Sequence, residues 1–193
     1  MLRILKYPHP ALRHKSRRLL RVDGELKNTV RAMFDLMYAQ KGIGLAANQV
    51  DLPYRFFILN TEGDPETGQE YVFLNPVIGK RSGTEEAEEG CLSFPEIYAP
   101  VKRSAKIVIS AYNLEGQEVN YQLDGLFARA VQHEYDHLDG KLFIDRLTPT
   151  GLLSVKQALF DLERQFAGDR QRGIIPDDQQ IASRLAELEQ LRT

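Results

Sequence analysis

Gln132-His133-Glu134-Tyr135-Asp136-His137-Leu138-Asp139-Gly140 is the stretch on which the reading of this chain turns. Residues four apart on an α-helix share a face, so a helix here brings the imidazoles of His133 and His137 to one point, within reach of a single metal ion. Glu134, beside the first histidine, addresses a water at the ion rather than the ion itself. Hydrolytic metal sites use this arrangement: the ion brings the water's pKa down toward ~7 and a carboxylate takes its proton. The plainer alternative is two surface histidines on a solvated helix. Against it, Leu126, Ala130, Val131 and Leu138 make much of the helix circumference apolar and predict burial.

The helix is expected over residues 125–139, with Asp124 as N-cap and Gly140 as a left-handed stop. Upstream, Leu26, Val30, Met33 and Met37 recur at three- and four-residue steps beside Phe34, which predicts an amphipathic helix over residues 23–41 stopped by Gly42. Between the two lie short β-rich runs at 54–60, 71–74, 106–112 and 118–123. Gly63-Asp64-Pro65-Glu66-Thr67-Gly68 and Asn113-Leu114-Glu115-Gly116 have hairpin composition, so the strands they join are expected to be antiparallel. Downstream, Leu152, Val155, Leu159, Leu162 and Phe166 form one stripe of a helix over 150–166. Past Gly168 the chain becomes charged and glutamine-rich, and Pro176-Asp177-Asp178 opens a last helix bearing Ile181, Leu185, Leu188 and Leu191. Periodicity leaves three states open for this tail: packed on the domain, self-associating, or mobile.

Helix, strands and helix in that order predict an α+β fold, mostly antiparallel strands packed around the central histidine helix, and no internal repeat is present. A length of 193 residues accommodates one core, expected as a single catalytic domain over 1–167 with a C-terminal extension over 168–193. Lysine plus arginine number 25 against 27 acids, a balance of -2 that argues against duplex DNA as a partner. No apolar run approaches the ~18 residues of a spanning helix, and neither nucleic-acid nor membrane binding is evident. A single cysteine excludes a disulfide scaffold and suits a reducing, cytoplasmic setting. Arg3, Lys6, Arg13, Lys15, Arg17, Arg18 and Arg21 precede the first acid, Asp23, a bias shared with organelle transit peptides; Pro8 and Pro10 break an amphipathic helix there, so the segment is read as mature protein.

The third metal ligand decides the chemistry. A metzincin protease would carry a third histidine where Phe143 stands, so that subclass fails. A thermolysin-like peptidase would draw on Glu163 in the next helix. The competing candidate is Cys91, in Glu89-Gly90-Cys91-Leu92-Ser93, whose thiolate with two imidazoles leaves a fourth position open for water. Taken alone, Cys91 reads more simply as a small buried hydrophobe. A third segment, Gly42-Ile43-Gly44-Leu45-Ala46-Ala47-Asn48-Gln49, is small enough for an extended peptide to approach as an added strand, and it ends on an amide donor. It reads equally as a helix stop followed by a tightly packed strand.

Together these three segments closely resemble the peptide deformylases. That family carries Gly-x-Gly-φ-Ala-Ala-x-Gln, Glu-Gly-Cys-Leu-Ser and Gln-His-Glu-x-x-Asp-His-Leu-x-Gly in this order, matched here without departure at residues 42–49, 89–93 and 132–140. The opening Ile4-Leu5-Lys6-Tyr7-Pro8, followed by Leu12-Arg13, is also similar to the family's start. The resemblance covers about residues 1–166 on the domain size the family shares. It implies that Cys91, His133 and His137 hold one divalent ion, usually ferrous iron, with zinc, nickel or cobalt able to take the same ligands. It implies that Glu134 is the general acid/base, and that Gln49 (side-chain amide) and Leu92 (backbone N–H) stabilise the oxyanion. The implied reaction is removal of the formyl group from the N-terminal formylmethionine of new bacterial or organellar polypeptides. Substrate backbone is expected along Ile43, Gly44 and Leu45, with Gly42, Gly44 and Val131 lining the methionine pocket. The substrate also makes transient ribosome association an expectation, and a bacterial cytoplasm the expected compartment. Tyr98 departs from the arginine that many bacterial members carry, which alters polar contacts beyond the first side chain. Asp136 and Gln132 are expected by position to support the metal ligands. A peptidase using Glu163, or a non-enzymatic peptide-binding module, are the competing readings.

Overall fold

The first helix, Gly24–Ala39 (α1), begins on an acidic cap, the Asp23 carboxylate accepting the Leu26 N–H at 2.9 Å. Leu26, Val30, Met33, Phe34 and Met37 are its buried stripe. The stop falls before the expected Gly42: Gln40 caps the helix and Lys41 takes the left-handed conformation at φ 55°.

The computed structural model describes residues 2–193, and the strands follow α1 in the order β1 (Gly44–Ala46), β2 (Phe56–Leu59), β3 (Tyr71–Ser82), β4 (Glu85–Cys91), β5 (Phe94–Arg103), β6 (Lys106–Tyr112) and β7 (Glu118–Asp124). Five of them form an antiparallel sheet in the order β1-β2-β3-β6-β7, while β4 and β5 make a separate hairpin. The connections at 63–68 and 113–116 join antiparallel neighbours, as their composition predicts. β1 falls in the 42–49 segment, where one of the two readings placed a tightly packed strand. Two strands were not expected: β4 is dominated by glutamates that read as loop, and β5 contains Pro95 and Pro100. An isolated two-stranded hairpin tolerates both features, because its outer edges need no ladder donors and Glu86 faces Lys102 across the pair.

β2 is buried throughout because both faces of the sheet are covered. Phe56 and Ile58 pack with α1, whereas Phe57 and Leu59 pack with Ala128, Val131 and Leu138 of the central helix, Gly125–Leu138 (α2). A third cluster joins Phe94, Ile97 and Val101 of β5 to Leu5, Leu12, Phe143 and the C-terminal helices. α2 thus lies between the sheet and the hairpin.

Pro149–Gln171 (α3) starts on Thr148, whose hydroxyl accepts the Gly151 N–H at 3.1 Å, and runs through Gly168 without a break. Val155 and Leu159 are buried as expected; Leu152, placed on the same stripe by periodicity, is exposed. Asp178–Arg192 (α4) opens on Asp177, which accepts the Gln180 N–H at 2.8 Å. The tail packs on the domain: Ile181 and Leu185 join the third cluster, and the Tyr54 hydroxyl donates to the Leu188 carbonyl at 2.9 Å. Leu191 is exposed, contrary to its place on the apolar stripe, and Arg192 is buried in its stead. Among the described residues no helix is long and apolar enough to cross a membrane.

Candidate metal centre

α2 ends on Gly140, which takes φ 69° and leaves no space for a side chain: a Cβ there would collide with the Arg13 carbonyl. The helix brings His133 and His137 to one face with ring centroids 5.1 Å apart. Cys91, the last residue of β4, meets them from the hairpin. Its Sγ lies 3.4 Å from His137 Nε2, and one ligand atom from each of the three residues falls within 4.8 Å of the others. His133 turns its Nδ1 away, toward Glu89 Oε2 at 3.0 Å, which leaves Nε2 for the centre. A thiolate and two imidazoles converging on one point form a donor set for a divalent transition ion with a position left open. The residues present therefore fit a metal. Glu163, the alternative third ligand, is elsewhere: its Oε1 accepts the Tyr7 hydroxyl at 2.8 Å.

Glu134 is buried beside this centre, and its Oε2 has no hydrogen-bond partner among the described residues. The carboxylate fills the space over β1, where a Cβ on Gly44 would stand 2.6 Å from Oε1, so the glycine is what admits the acid. Burial pushes the Glu134 carboxyl up to about 7 against the opposing pull of His133 and Arg103. Burial, with His133 and Arg103, holds His137 well below the ordinary imidazole range. His133 goes the other way: burial opposes its charge, but Cys91 and Glu89 outweigh it and raise the ring to about 10.

Gln49 sits in a short 3₁₀ turn and is oriented by two contacts. Its Oε1 accepts the Ala46 N–H at 2.8 Å, which turns Nε2 toward Ser93 Oγ at 3.1 Å and Cys91 Sγ at 3.4 Å. Leu92 follows Cys91, and its side chain packs on Gly42, where a Cβ would approach Cδ1 to 2.6 Å. Gly42, Ile43, Gly44, Gln49 and Leu92 all line one open cleft of about 680 Å³ together with Cys91, His133 and Glu134. Leu45 and Val131, expected beside substrate, are fully buried in the cores behind that cleft, and α2 presents Leu126 and Ala130 to it. Tyr98 pairs with Gly90 across the hairpin and lies exposed along the cleft, its ring occupying the space a Gly90 side chain would need.

The support of the ligands is not where position suggested. Asp136 bonds to Arg103 at 2.7 Å and to Arg146, and Gln132 bonds to Arg81, Ser104 and the Ala128 carbonyl; neither touches a histidine. Glu89 does. Besides His133 it accepts from Arg103 at 2.6 and 2.9 Å and from Arg129 at 2.7 Å, and against its burial His133 and Arg103 hold the carboxyl low. No sequence signal marked this, because the strand that carries Glu89 to Cys91 was itself not legible among the glutamates.

Comparison with known proteins agrees with this geometry. Residues 1–152 match the family model described as polypeptide deformylase. Peptide deformylase of Rhodopirellula baltica is 44% identical over 192 residues, 100% of this chain and 96% of that protein. Peptide deformylase 1B, chloroplastic/mitochondrial, of Arabidopsis thaliana is 46% identical over 166 residues, 86% of this chain and 61% of that longer protein. Among solved structures, a plant peptide deformylase PDF1B superposes with a TM-score of 0.86 at 44% identity, covering 92% of this chain and 95% of that one.

Proposed function

Since the chain belongs to the peptide deformylase family and so is a metal-dependent hydrolase of N-formylmethionyl peptides, we propose how its residues divide that work. Cys91, His133 and His137 hold the ion, and ferrous iron is our choice, with zinc, nickel or cobalt compatible with the same donors. Such an ion supplies Lewis acidity toward the formyl carbonyl and toward a water. Glu134 takes the proton of the attacking water and delivers it to the leaving amine, after which formate departs. Its burial and free Oε2 support that role. Gln49 Nε2, locked by the Ala46 bond, and the Leu92 N–H stabilise the oxyanion, donors of this type contributing ~3 kcal/mol each.

Substrate backbone adds to Ile43, Gly44 and Leu45. Supporting this, β1 is the terminal strand of its sheet and pairs with β2 on one side only. The methionine side chain enters beside Gly42 and Gly44, with Val131 forming the layer behind. Residues 1–167 carry the catalytic function and residues 168–193 brace it. A bacterial cytoplasm and transient contact with the ribosome follow from a substrate that is a nascent chain; the relative in Arabidopsis is described as chloroplastic/mitochondrial.

The observation that carries the assignment of roles is the buried, unpartnered Glu134 oxygen beside the three convergent ligands. The test is formate release from formyl-Met-Ala-Ser by metal-loaded, anaerobically purified protein. Glu134→Gln is expected to keep its metal and lose about 10²–10⁴-fold in rate. A metal-loaded Glu134→Gln protein that turns over normally removes Glu134 from the reaction.

A further inference from the structure

The N-terminal segment, which resembles the family's opening but takes no part in the chemistry above, crosses both oxyanion groups. The Leu5 N–H donates to the Gln49 carbonyl at 2.8 Å, and the Tyr7 N–H donates to the Ser93 carbonyl at 3.0 Å. Between them the Lys6 ammonium donates to the Leu92 carbonyl at 2.6 Å. The strap is itself held from behind, because the Tyr7 ring stacks on Phe94 at 5.0 Å and its hydroxyl reaches Glu163. Backbone bonds from Leu5 and Tyr7 do not depend on side-chain identity. Lys6 is the residue of the three whose side chain makes the contact.

The site of that contact needs an anchor. The β4–β5 ladder is regular from Glu85 to Gly90 and then shifts register, so that Cys91 faces Phe94 across the tight turn carrying Leu92. There the ladder does not fix the Leu92 peptide plane. Its side chain is seated on Gly42 and its carbonyl is held by Lys6. A carbonyl and an N–H on one residue are linked through a single φ/ψ pair, so holding the one limits the other. Lys6 also lines the cleft beside Cys91.

We propose that Lys6 is a positioning residue for deformylation: it fixes the Leu92 turn so that the Leu92 N–H meets the developing oxyanion. This rests on the reading of Gln49 and Leu92 as oxyanion donors. A displaced donor costs less than an absent one, whose removal typically costs ~10²–10³ in kcat. The expected loss for Lys6→Met is about 10-fold in kcat, with KM for formyl-Met-Ala-Ser unchanged, because the displaced Leu92 N–H serves the developing oxyanion rather than substrate binding. Metal content and melting temperature are expected to match the wild type. Lys6→Arg, which retains a cationic donor, is expected to recover most of the rate.

The experiment compares wild-type, Lys6→Met, Lys6→Arg and Gln49→Leu holoenzymes in kcat, KM, bound metal and melting temperature. Lys6→Met with wild-type kcat overturns the proposal. A rate lost only in proportion to lost metal or lost fold overturns it too, as does an arginine variant no better than the methionine one. Gln49→Leu separates the two levels. If it leaves kcat intact, the oxyanion reading falls and the role of Lys6 with it; if it lowers kcat while Lys6→Met does not, Lys6 alone is at fault.

Discussion

The two helices α2 and α4 both bury charge, and they do so in opposite ways. In α2 ten of 14 residues are buried, among them Arg129, His133, Glu134 and Asp136. Its ionic partners, Glu89 and Arg103, are buried as well, so the cluster is buried except at its outer member, Arg146, which reaches Asp136 from the surface. In α4 three of 15 residues are buried, and Arg192 reaches outward to Asp23 and to the exposed Glu25. A closed cluster stands or falls as a unit, since removing one member leaves its partners charged in a low-dielectric interior. An open pair returns to water when broken and costs little. The central helix is therefore held by electrostatics that tolerate no single change, and the terminal helix mainly by its apolar contacts.

The largest effect should follow from breaking the closed cluster. Glu89→Gln leaves Arg103 and Arg129 without their shared carboxylate and is expected to lower unfolding free energy by about 3–5 kcal/mol in urea titrations. Because the same carboxylate orients His133, metal affinity should also fall about 10–100-fold by competitive chelation. A loss below about 1 kcal/mol would place Glu89 in the hydrated class and dissolve the contrast with α4.

The same contrast explains what the sequence made legible. His133, Glu134 and His137 were marked as a group by helical spacing, whereas Cys91, which alone reads as a small buried hydrophobe, was marked only by the family resemblance; the fold brings Cys91 to the two histidines. Helix starts were legible in part: Asp124, the expected N-cap of α2, stands at the cap position but makes no side-chain bond there, whereas Asp23 and Asp177, not named as caps from sequence, do cap α1 and α4. The choice between Cys91 and Glu163 lay outside any spacing rule, since only the tertiary fold ties Glu163 to Tyr7 and leaves Cys91 with the histidines. The β4–β5 hairpin was hidden by its glutamates and prolines. Glu89 looked like the end of a solvated acidic run until Arg103 and Arg129 arrived from β5 and α2. In α4 the stripe correctly named Ile181 and Leu185, but the burial of Arg192 depends on Asp23, a residue at the far end of the chain.

The apolar side of the comparison is sharpened by Leu185→Ala, for which about 2–4 kcal/mol is expected, with kcat per folded molecule unchanged because Leu185 does not itself line the cleft. Arg192→Met should cost less, about 1–2 kcal/mol: Asp23 keeps its cap bond to Leu26 and Glu25 remains hydrated. That smaller loss should shrink further in high salt. If Arg192→Met costs more than Leu185→Ala, the terminal helix is electrostatically held after all.

The smallest effect concerns the seam beneath α4, where His9 is buried against Phe166 with ring centroids 6.1 Å apart and accepts the Ala11 N–H at 3.3 Å. Burial lowers its pKa to about 4, helped by Arg3, Arg170 and Arg184 and opposed by Asp178. A folded-state pKa below the unfolded one means the unfolded chain takes up the proton first as pH falls. The stabilisation is present in full above the ordinary imidazole value and is lost as pH drops toward the folded value. Between pH 7 and 5.5 this amounts to about 1 kcal/mol. It should appear as a steeper fall of the urea midpoint in the wild type than in His9→Gln, measured at equal ionic strength. Parallel slopes would mean that the seam admits the proton in the folded state, and that the N-terminal segment and α4 are more loosely joined than the burial of His9 implies.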